Sequence, residues 1–283
     1  MSEIYLHGHH QSVLAAHGAR TAADSAAYLL PHLTPGTRLL DVGCGPGTIT
    51  LDLAAAVAPT GAVVGIENVE APLEQARAHA VARGDNHTRF GRADVMTLPY
   101  AASSFDVAHA HQVLQHLTDP VGALREMARV TRAGGLLAVR DVDYGSMVWH
   151  PASEGMSEWL DLYRSLARLN GAEPDAGRHL IAWAHAAGLR ELSPSSSLWT
   201  YATPAECAWW GAIWAARTVS STFATEAMRR GLASGGDLER ISAAWTSWSR
   251  HPDAWFAMTH AELLISLSSL PWSHREPEIS FQA

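Results

Sequence analysis

The stretch that decides the fold is Leu-Leu-Asp-Val-Gly-Cys-Gly-Pro-Gly-Thr, residues 39–48. An apolar run ends at Val42, and three glycines follow within five residues, at Gly43, Gly45 and Gly47. Glycine lacks a Cβ atom and weakens regular structure, so such a cluster indicates a tight turn or a backbone that a ligand approaches closely. We therefore expect a buried strand, a ligand-binding turn and then a helix.

Strand and helix patterns alternate outward from this turn, as is typical of a parallel, doubly wound sheet. The predicted strands are 38–42, 62–67, 88–92, 105–110, 136–142, 195–201 and 255–267, and the predicted helices are 21–32, 48–57, 71–83, 120–130, 157–170, 176–187, 204–230 and 238–250, with a turn at 132–135. We expect an α/β fold with a mostly parallel seven-stranded sheet. Its parts are an N-terminal helical lid (1–35), a ligand-binding core (36–145), and a helical, Trp-rich insertion with the last strands (146–283).

Composition excludes several classes of protein. The 283 residues are 47% hydrophobic, which suits one large globular domain or a domain with an insertion. The net charge of -8 disfavours a general nucleic-acid binder, which needs a basic face. Cys44 and Cys207 are the only cysteines, so no disulfide framework is expected and a reducing cytoplasm is favoured. No apolar run reaches the ~18 residues of a membrane span, and the N-terminus lacks a signal-peptide pattern.

The spacing of the three glycines distinguishes two kinds of cofactor site. A dinucleotide site has the fingerprint G-x-G-x-x-G, whereas an S-adenosylmethionine loop commonly has the pattern D/E-x-G-x-G-x-G. Residues 41–47, Asp-Val-Gly-Cys-Gly-Pro-Gly, have the second spacing. A glycine turn without a ligand remains the third alternative.

Two carboxylates lie where further strands end. Glu67 ends the second strand, where it can accept hydrogen bonds from both hydroxyls of a ribose. Asp94 follows the third strand, where it can accept a hydrogen bond from the exocyclic amine of adenine. Each can instead cap a helix or lie solvated in a loop. Their order along the chain favours S-adenosylmethionine.

These motifs resemble those of class I S-adenosylmethionine-dependent methyltransferases, particularly the ubiquinone/menaquinone C-methyltransferase branch. The resemblance covers about residues 36–143 and includes DVGCGPG (41–47), GIENVE (65–70), RADVMTLPYAASSFDVAHAHQVLQHLTDP (92–120) and RAGG (132–135). The N-terminal stretch 8–33 is also similar to bacterial members of that branch. The resemblance implies a cofactor site formed by Arg20, Thr21, Asp41, Gly43, Cys44, Gly45, Thr48, Glu67, Asn68, Asp94, Val95, His111 and His116.

Methyl transfer from a sulfonium needs mainly proximity and alignment, and a base only where the acceptor must lose a proton. Histidine is the natural base near neutral pH, so His111 and His10 are the leading candidates, with Tyr5 as a third. The chain has 16 histidines, however, and most are expected to be structural or exposed. No metal site is predicted.

The 11 tryptophans all lie at or after Trp149. Aromatic walls suit a flat, apolar acceptor beside a sulfonium, although these side chains can equally form the core of the inserted helices. The predicted acceptor-binding residues are Tyr144, Trp210, Trp214 and Trp245.

The resulting hypothesis is a methyltransferase of secondary metabolism that acts on a small aromatic or polycyclic molecule. Its most specific version is methylation of carbon 3 of an indole in a tryptophan-derived compound, as the resemblance suggests. The alternatives are N- or O-methylation, a non-catalytic S-adenosylmethionine-binding partner protein, and an NAD-dependent oxidoreductase. A homodimer is a further expectation.

Overall fold

The structure is a computed structural model that describes residues 18–268, and its central element is one eight-stranded sheet. The strands are β1 (Arg38–Val42), β2 (Ala62–Glu67), β3 (Thr88–Arg92), β4 (Phe105–His111), β5 (Thr131–Val142), β6 (Val148–His150), β7 (Glu191–Tyr201) and β8 (Trp255–Ser266). Their order is β3-β2-β1-β4-β5-β8-β6, with β7 also paired to β8. Strands β1 to β5 are parallel, and β8 runs antiparallel to its three neighbours. The predicted doubly wound α/β fold is confirmed.

The additional strand, β6, extends the line of β5. Strand β7 pairs with residues 256–266 of β8, so β5 and β6 share the other edge. There β5 pairs with residues 260–266 and β6 with residues 255–257. The sheet therefore has seven positions side by side, one of them occupied by two strands in succession. Because β8 pairs with β5, the predicted parts 36–145 and 146–283 both contribute strands to this one sheet.

Nine α-helices surround the sheet in the described part of the chain. They are α1 (Ala22–Ser25), α2 (Thr48–Val57), α3 (Glu70–Arg83), α4 (Pro120–Val130), α5 (Glu154–Leu169), α6 (Leu180–Ala186), α7 (Pro204–Ser220), α8 (Thr222–Arg229) and α9 (Gly235–Ser249). None of the helices within residues 18–268 has the length and apolar character needed to cross a membrane.

Three sequence-based boundaries are wrong in detail. The helix predicted over 21–32 is α1 followed by a 3₁₀ turn at Leu30–His32, which contains Pro31 and so lacks one backbone donor. The helix predicted over 204–230 is interrupted at Ser221, whose extended backbone and side chain cap α8. The turn predicted at 132–135 is a bulge inside β5, since Thr131 lies opposite Phe105 and the next pair is Leu136 with Val107.

Three apolar clusters hold these elements together. One packs α4 and α6 against the sheet, and a second packs α1 and α2 against it. The third joins α5, α7, α8 and α9 with the start of β8 and contains most of the buried aromatic rings. This arrangement leaves the carboxyl ends of β1, β2 and β4 open towards the segment before α1, which is where ligands bind in open α/β sheets.

Candidate active site

The glycine turn between β1 and α2 has a backbone that other residues cannot adopt without strain. Gly43 and Gly47 have φ angles of 67° and 78°. A Cβ atom on Gly43 would lie 2.4 Å from Val113 Cγ2, and one on Gly47 would lie 2.8 Å from Ala76 Cβ. Both positions therefore require glycine for conformation and for space. The turn forms one wall of a cavity.

This cofactor cavity has a volume of about 340 Å³. It brings together ten of the predicted cofactor residues, namely Arg20, Asp41, Gly43, Cys44, Gly45, Thr48, Glu67, Asn68, His111 and His116. Other lining residues, which the sequence analysis did not single out, include His109, Gln112 and Arg217. Residues from the segment before α1, the ends of strands β1, β2 and β4, and helix α7 thus converge on one site.

Glu67 lies at the end of β2 as predicted. Its carboxylate accepts hydrogen bonds from the backbone N–H groups of Asn68, at 2.9 Å, and Gly45, at 3.3 Å. Burial raises the pKa of Glu67, while these two backbone donors oppose the rise. The carboxylate is therefore held at the glycine turn, in position to accept hydrogen bonds from ligand hydroxyls.

Asp41 lines the cavity but is already bound by two side chains. Its Oδ1 lies 2.7 Å from His109 Nδ1, and its Oδ2 accepts a hydrogen bond of 2.5 Å from Thr50. His109 lies beside Asp41 because the two residues are paired in register between β4 and β1. The Nε2 atom of His109 has no hydrogen-bond partner within residues 18–268. Both carboxylate oxygens of Asp41 therefore have partners, and the polar atom without one is Nε2 of His109.

Three predicted cofactor residues do not line the cavity. Thr21 and Asp94 are exposed side chains that act as N-caps, Thr21 for α1 and Asp94 for the 3₁₀ turn Val95–Thr97. Val95 is buried in the apolar cluster beneath that turn. Both Thr21 and Asp94 thus have a capping role; Asp94 caps through Oδ1 alone, so its contact with the adenine amine stays a prediction. Two predicted catalytic residues, Tyr5 and His10, lie outside the described residues.

His111 ends β4 and lines the cavity, as expected, but its environment argues against a base. Arg140 Nη1 lies 3.4 Å from His111 Nδ1, and a guanidinium can only donate. Burial, followed by the positive charge of Arg140, lowers the pKa of His111 well below its ordinary value. This environment disfavours the prediction that His111 serves as a general base, because one ring nitrogen faces a cation and the nearby positive charge opposes protonation of the ring.

A second, larger cavity of about 640 Å³ adjoins the first. The two share Arg20, Gln112 and Arg217. Its walls, formed by β7 and α7, include the aromatic side chains of Trp199, Tyr201, Trp209, Trp210 and Trp214. We call it the aromatic cavity. Its rings pack closely, with Tyr201 and Trp210 stacked at 4.3 Å between centroids.

Two of the four predicted acceptor-binding residues, Trp210 and Trp214, line this cavity. The other two, Tyr144 and Trp245, do not, and these predictions are corrected. Trp245 is fully buried between Trp159 and Trp248, in the apolar cluster that joins α5, α7, α8 and α9. Tyr144 stacks on Tyr163 at 4.4 Å and is likewise buried. The residue type alone did not show which of these aromatic side chains line a cavity and which pack into a core.

Gln112 connects the two cavities. Its Oε1 accepts a hydrogen bond of 2.8 Å from Arg20, and its Nε2 lies 2.8 Å from Nε2 of the buried His260. Its backbone has a φ angle of 54°, which is uncommon outside glycine. The Arg20 guanidinium lies 5.1 Å from the Trp199 ring centroid, a cation–π distance. Gln112 thus helps to hold the Arg20 guanidinium near the Trp199 ring.

Sequence reasoning missed Gln112, His109, Trp199 and Arg217. His109 could have been predicted from the sequence. It lies two residues before His111 on the same strand, so the two side chains are on the same face of the sheet. Trp199 had a weaker signal, since a strand was predicted to contain it. Nothing local indicated Gln112, whose role depends on partners 92 and 148 residues away.

Taken together, the site offers a polar cavity with a carboxylate for hydroxyl groups, next to an aromatic cavity, with arginines where they meet. No group of three or more metal-ligating side chains occurs within residues 18–268. A bound donor in one cavity and a flat acceptor in the other would meet at the Arg20–Gln112–Arg217 junction, an arrangement suited to transfer by proximity.

Comparison with known proteins identifies the reaction. A methyltransferase domain model matches residues 33–197. The chain belongs to this methyltransferase family. An uncharacterized methyltransferase of Schizosaccharomyces pombe is 32% identical over 272 residues, which cover 92% of this chain and 95% of that protein. The protein is thus an S-adenosylmethionine-dependent methyltransferase, and the dinucleotide and non-catalytic alternatives fall away.

Two further comparisons add detail. The 27-O-demethylrifamycin SV methyltransferase of Amycolatopsis mediterranei is 35% identical over 193 residues, covering 59% of this methyltransferase and 68% of that protein. The crystal structure of the YcgJ protein of Bacillus subtilis has a TM-score of 0.54 at 18% identity, covering 85% of this chain and 97% of the other. At that identity the structural likeness establishes the shared fold.

Proposed function

We propose that this methyltransferase transfers a methyl group to a small, flat aromatic or polycyclic acceptor of secondary metabolism. The observation that carries the proposal is the aromatic cavity, which joins the cofactor cavity through Arg20, Gln112 and Arg217. Five aromatic side chains line this cavity, and three of them, Trp199, Tyr201 and Trp209, are at least partly exposed. Aromatic faces suit a planar molecule and also tolerate the positive charge of a sulfonium. A relative from Amycolatopsis is named for methylating an oxygen of a rifamycin, which supports a natural-product acceptor without specifying its shape or the atom methylated in this chain.

The junction also bears on which atom is methylated. Two histidine nitrogens near the junction are already in contact with other side chains. His111 Nδ1 lies beside Arg140, and His260 Nε2 lies beside Gln112. Burial lowers the pKa of both histidines. A nucleophile that keeps its proton until after methyl transfer suits this environment better than a hydroxyl that must first lose one. Carbon 3 of an indole, as in a tryptophan-derived cyclic dipeptide, has that property and is our specific proposal.

In the proposed reaction the indole carbon attacks the methyl carbon, the bond from that methyl to sulfur breaks, and S-adenosylhomocysteine leaves. The positive charge moves from sulfur to the ring, and the indole N–H proton is lost to solvent afterwards. The protein contributes alignment, exclusion of water and aromatic faces for the charge.

A panel assay tests both levels of the proposal. The purified protein is incubated with S-adenosylmethionine and, separately, a cyclic dipeptide of two tryptophans, a naphthol, an aromatic amine and an aliphatic amine. We expect mass gain of one methylene unit with the cyclic dipeptide, and carbon-13 NMR with labelled donor should place the methyl on carbon 3. Methylation of the naphthol oxygen alone would overturn the indole version, and methylation of the aliphatic amine alone would overturn the aromatic acceptor.

A further inference from the structure

Two buried ring nitrogens in the cofactor cavity, His109 Nε2 and His111 Nε2, have no hydrogen-bond partner within residues 18–268, and that of His111 lies at the end of β4. His111 is 7% exposed, and its Nε2 forms no hydrogen bond with any residue in the range 18–268. Buried polar groups in proteins are nearly always paired, so such an atom calls for a partner from outside residues 18–268. Because His111 lines the cofactor cavity, that partner is expected to be an atom of a bound ligand.

The geometry around the other nitrogen decides where the ring proton lies. Arg140 Nη1 approaches His111 Nδ1 at 3.4 Å, and since arginine only donates, Nδ1 must present its lone pair. A neutral imidazole then carries its proton on Nε2. Arg140 is itself fully buried and fixed, because Ser197 Oγ lies 3.0 Å from its Nη2 and Glu262 Oε1 lies 3.3 Å from its Nε.

The remaining groups around the imidazole keep it neutral. Arg140 faces it from β5, Arg20 from the segment before α1, His260 from β8 and His109 from its own strand. All four act in the same direction as burial and lower the pKa of His111. The Glu262 carboxylate is bound to Arg140, Ser195 and Ser197.

We propose that His111 donates a hydrogen bond through Nε2–H to an oxygen of a bound ligand, with Arg140 as the positioning residue that fixes this tautomer. Two ligand oxygens share the required chemistry. One is the carboxylate in the methionine part of the cofactor, and the other is an oxygen of the acceptor, such as a cyclic dipeptide carbonyl. The second source rests on the proposed function, whereas the first does not.

Two substitutions separate a donor from a base. His111→Gln keeps an N–H close to the position of Nε2 and an oxygen that can accept from Arg140, whereas His111→Leu keeps the volume and removes both polar atoms. We expect His111→Leu to lose at least about tenfold in one binding or turnover step, the factor for one hydrogen bond to a charged or polar ligand oxygen. We expect His111→Gln to recover most of that loss. The exposed His87, replaced by leucine, provides the matched surface control.

Two probes assign the source of the oxygen. S-Adenosylhomocysteine carries the carboxylate, and 5′-methylthioadenosine lacks the amino-acid part. If the carboxylate is the partner, His111→Leu should bind S-adenosylhomocysteine more weakly and 5′-methylthioadenosine as the wild type does. If the acceptor oxygen is the partner, both probes should bind normally, and the KM or kcat for the tryptophan cyclic dipeptide should change at least about tenfold.

A pH profile and NMR complete the test. A neutral donor predicts a wild-type kcat with no ionisation step near neutral pH that is lost in His111→Leu, since burial and the charge of Arg140 lower the pKa of His111 well below its ordinary value. Nitrogen-15 histidine spectra should show the Nε2–H form, and replacing Arg140 with methionine should disturb it. An imidazolium or Nδ1–H form in the wild type would overturn the proposal. So would wild-type behaviour of His111→Leu with every probe, or inactivity of His111→Gln together with a kcat that falls below about pH 7.

Failure of the proposed function leaves a separate result. If the cyclic dipeptide is not methylated, the aromatic proposal fails. The affinity of His111→Leu for S-adenosylhomocysteine and the NMR tautomer then decide the role of His111. Weakened affinity with an Nε2–H tautomer supports the donor, and unchanged affinity overturns it.

Discussion

The cofactor cavity and the aromatic cavity meet at three side chains but are built in opposite ways. The first is formed by backbone turns and polar side chains where consecutive parallel strands end, so most of its wall comes from a few short segments. The second is lined by rings on β7 and α7, two elements that pack directly against each other. A cofactor site of this kind is encoded locally, whereas the acceptor site depends on how distant elements pack.

The largest expected effect is a loss of stability, and it should distinguish rings of the apolar cluster of α5, α7, α8 and α9 from rings that line the aromatic cavity. Trp245 is fully buried, and Trp209 is 39% exposed at the cavity wall. Trp245→Ala should lower the free energy of unfolding by about 3 to 5 kcal/mol, because it leaves a large void among other rings. Chemical denaturation of the variant measures this change.

Trp209→Ala is the matched variant. It should change the free energy of unfolding by less than about 1 kcal/mol, since the ring is already partly in water, and raise the acceptor KM by about three- to tenfold. An unchanged KM for every aromatic acceptor, with a stable protein, would mean that the wall at Trp209 does not contact the acceptor.

The second comparison concerns two glycines with similar backbones. Gly47 and Gly84 have φ angles of 78° and 66°, but only at Gly47 would a Cβ atom meet neighbours, Ala76 and Phe90, within 3.0 Å. Gly47→Ala should therefore cost about 2 to 4 kcal/mol in stability, from strain plus overpacking, and weaken cofactor binding. Gly84→Ala should cost about 1 to 2 kcal/mol from strain alone and leave binding intact. Thermal unfolding with and without S-adenosylhomocysteine distinguishes the two, and equal losses would remove the steric argument.

The cofactor cavity could be predicted from the sequence to a greater extent than the aromatic cavity. The glycine turn and Glu67 were predictable because the turn requires particular residue types at particular offsets, and Glu67 comes at a strand end. Trp245 and Tyr144 were wrongly assigned to the acceptor site because an aromatic residue packs equally well into a core. The tautomer of His111 was beyond reach, since it depends on Arg140, which lies 29 residues further along the chain.

Glu67 is the carboxylate at a strand end that is predicted from the sequence to bind the ribose of the cofactor. Glu67→Ala should weaken binding of S-adenosylhomocysteine about 10- to 100-fold, as expected for losing charge-assisted hydrogen bonds to ribose hydroxyls. Glu70→Ala, three residues further on and exposed in an ion pair with Arg77, is the control and should bind normally. Isothermal titration measures both.

The same titration has a pH signature. Burial raises the pKa of Glu67, and only the ionised carboxylate accepts from both hydroxyls. Binding should therefore weaken as the pH falls towards that raised pKa, and this dependence should be absent in Glu67→Ala. A variant that binds as tightly as the wild type would refute the ribose role.

The smallest expected effect concerns Asp94, whose two candidate roles use different atoms of one carboxylate. Its Oδ1 caps the turn at Val95–Thr97 by accepting from Met96 N at 2.9 Å, which leaves the other oxygen for the adenine amine. Asp94→Asn keeps an oxygen for the cap but replaces the second acceptor with a donor, whereas Asp94→Ala removes both. We expect both variants to lose about fivefold in affinity for S-adenosylhomocysteine, and only Asp94→Ala to lose about 1 kcal/mol of stability. S-Inosylhomocysteine, which lacks the amine, sharpens the comparison: the wild type should prefer the adenine form, and Asp94→Asn should show no preference. A preference that survives in Asp94→Asn would mean that Asp94 serves the turn alone, and that the local signals at the strand ends identify the ribose contact but not the adenine contact.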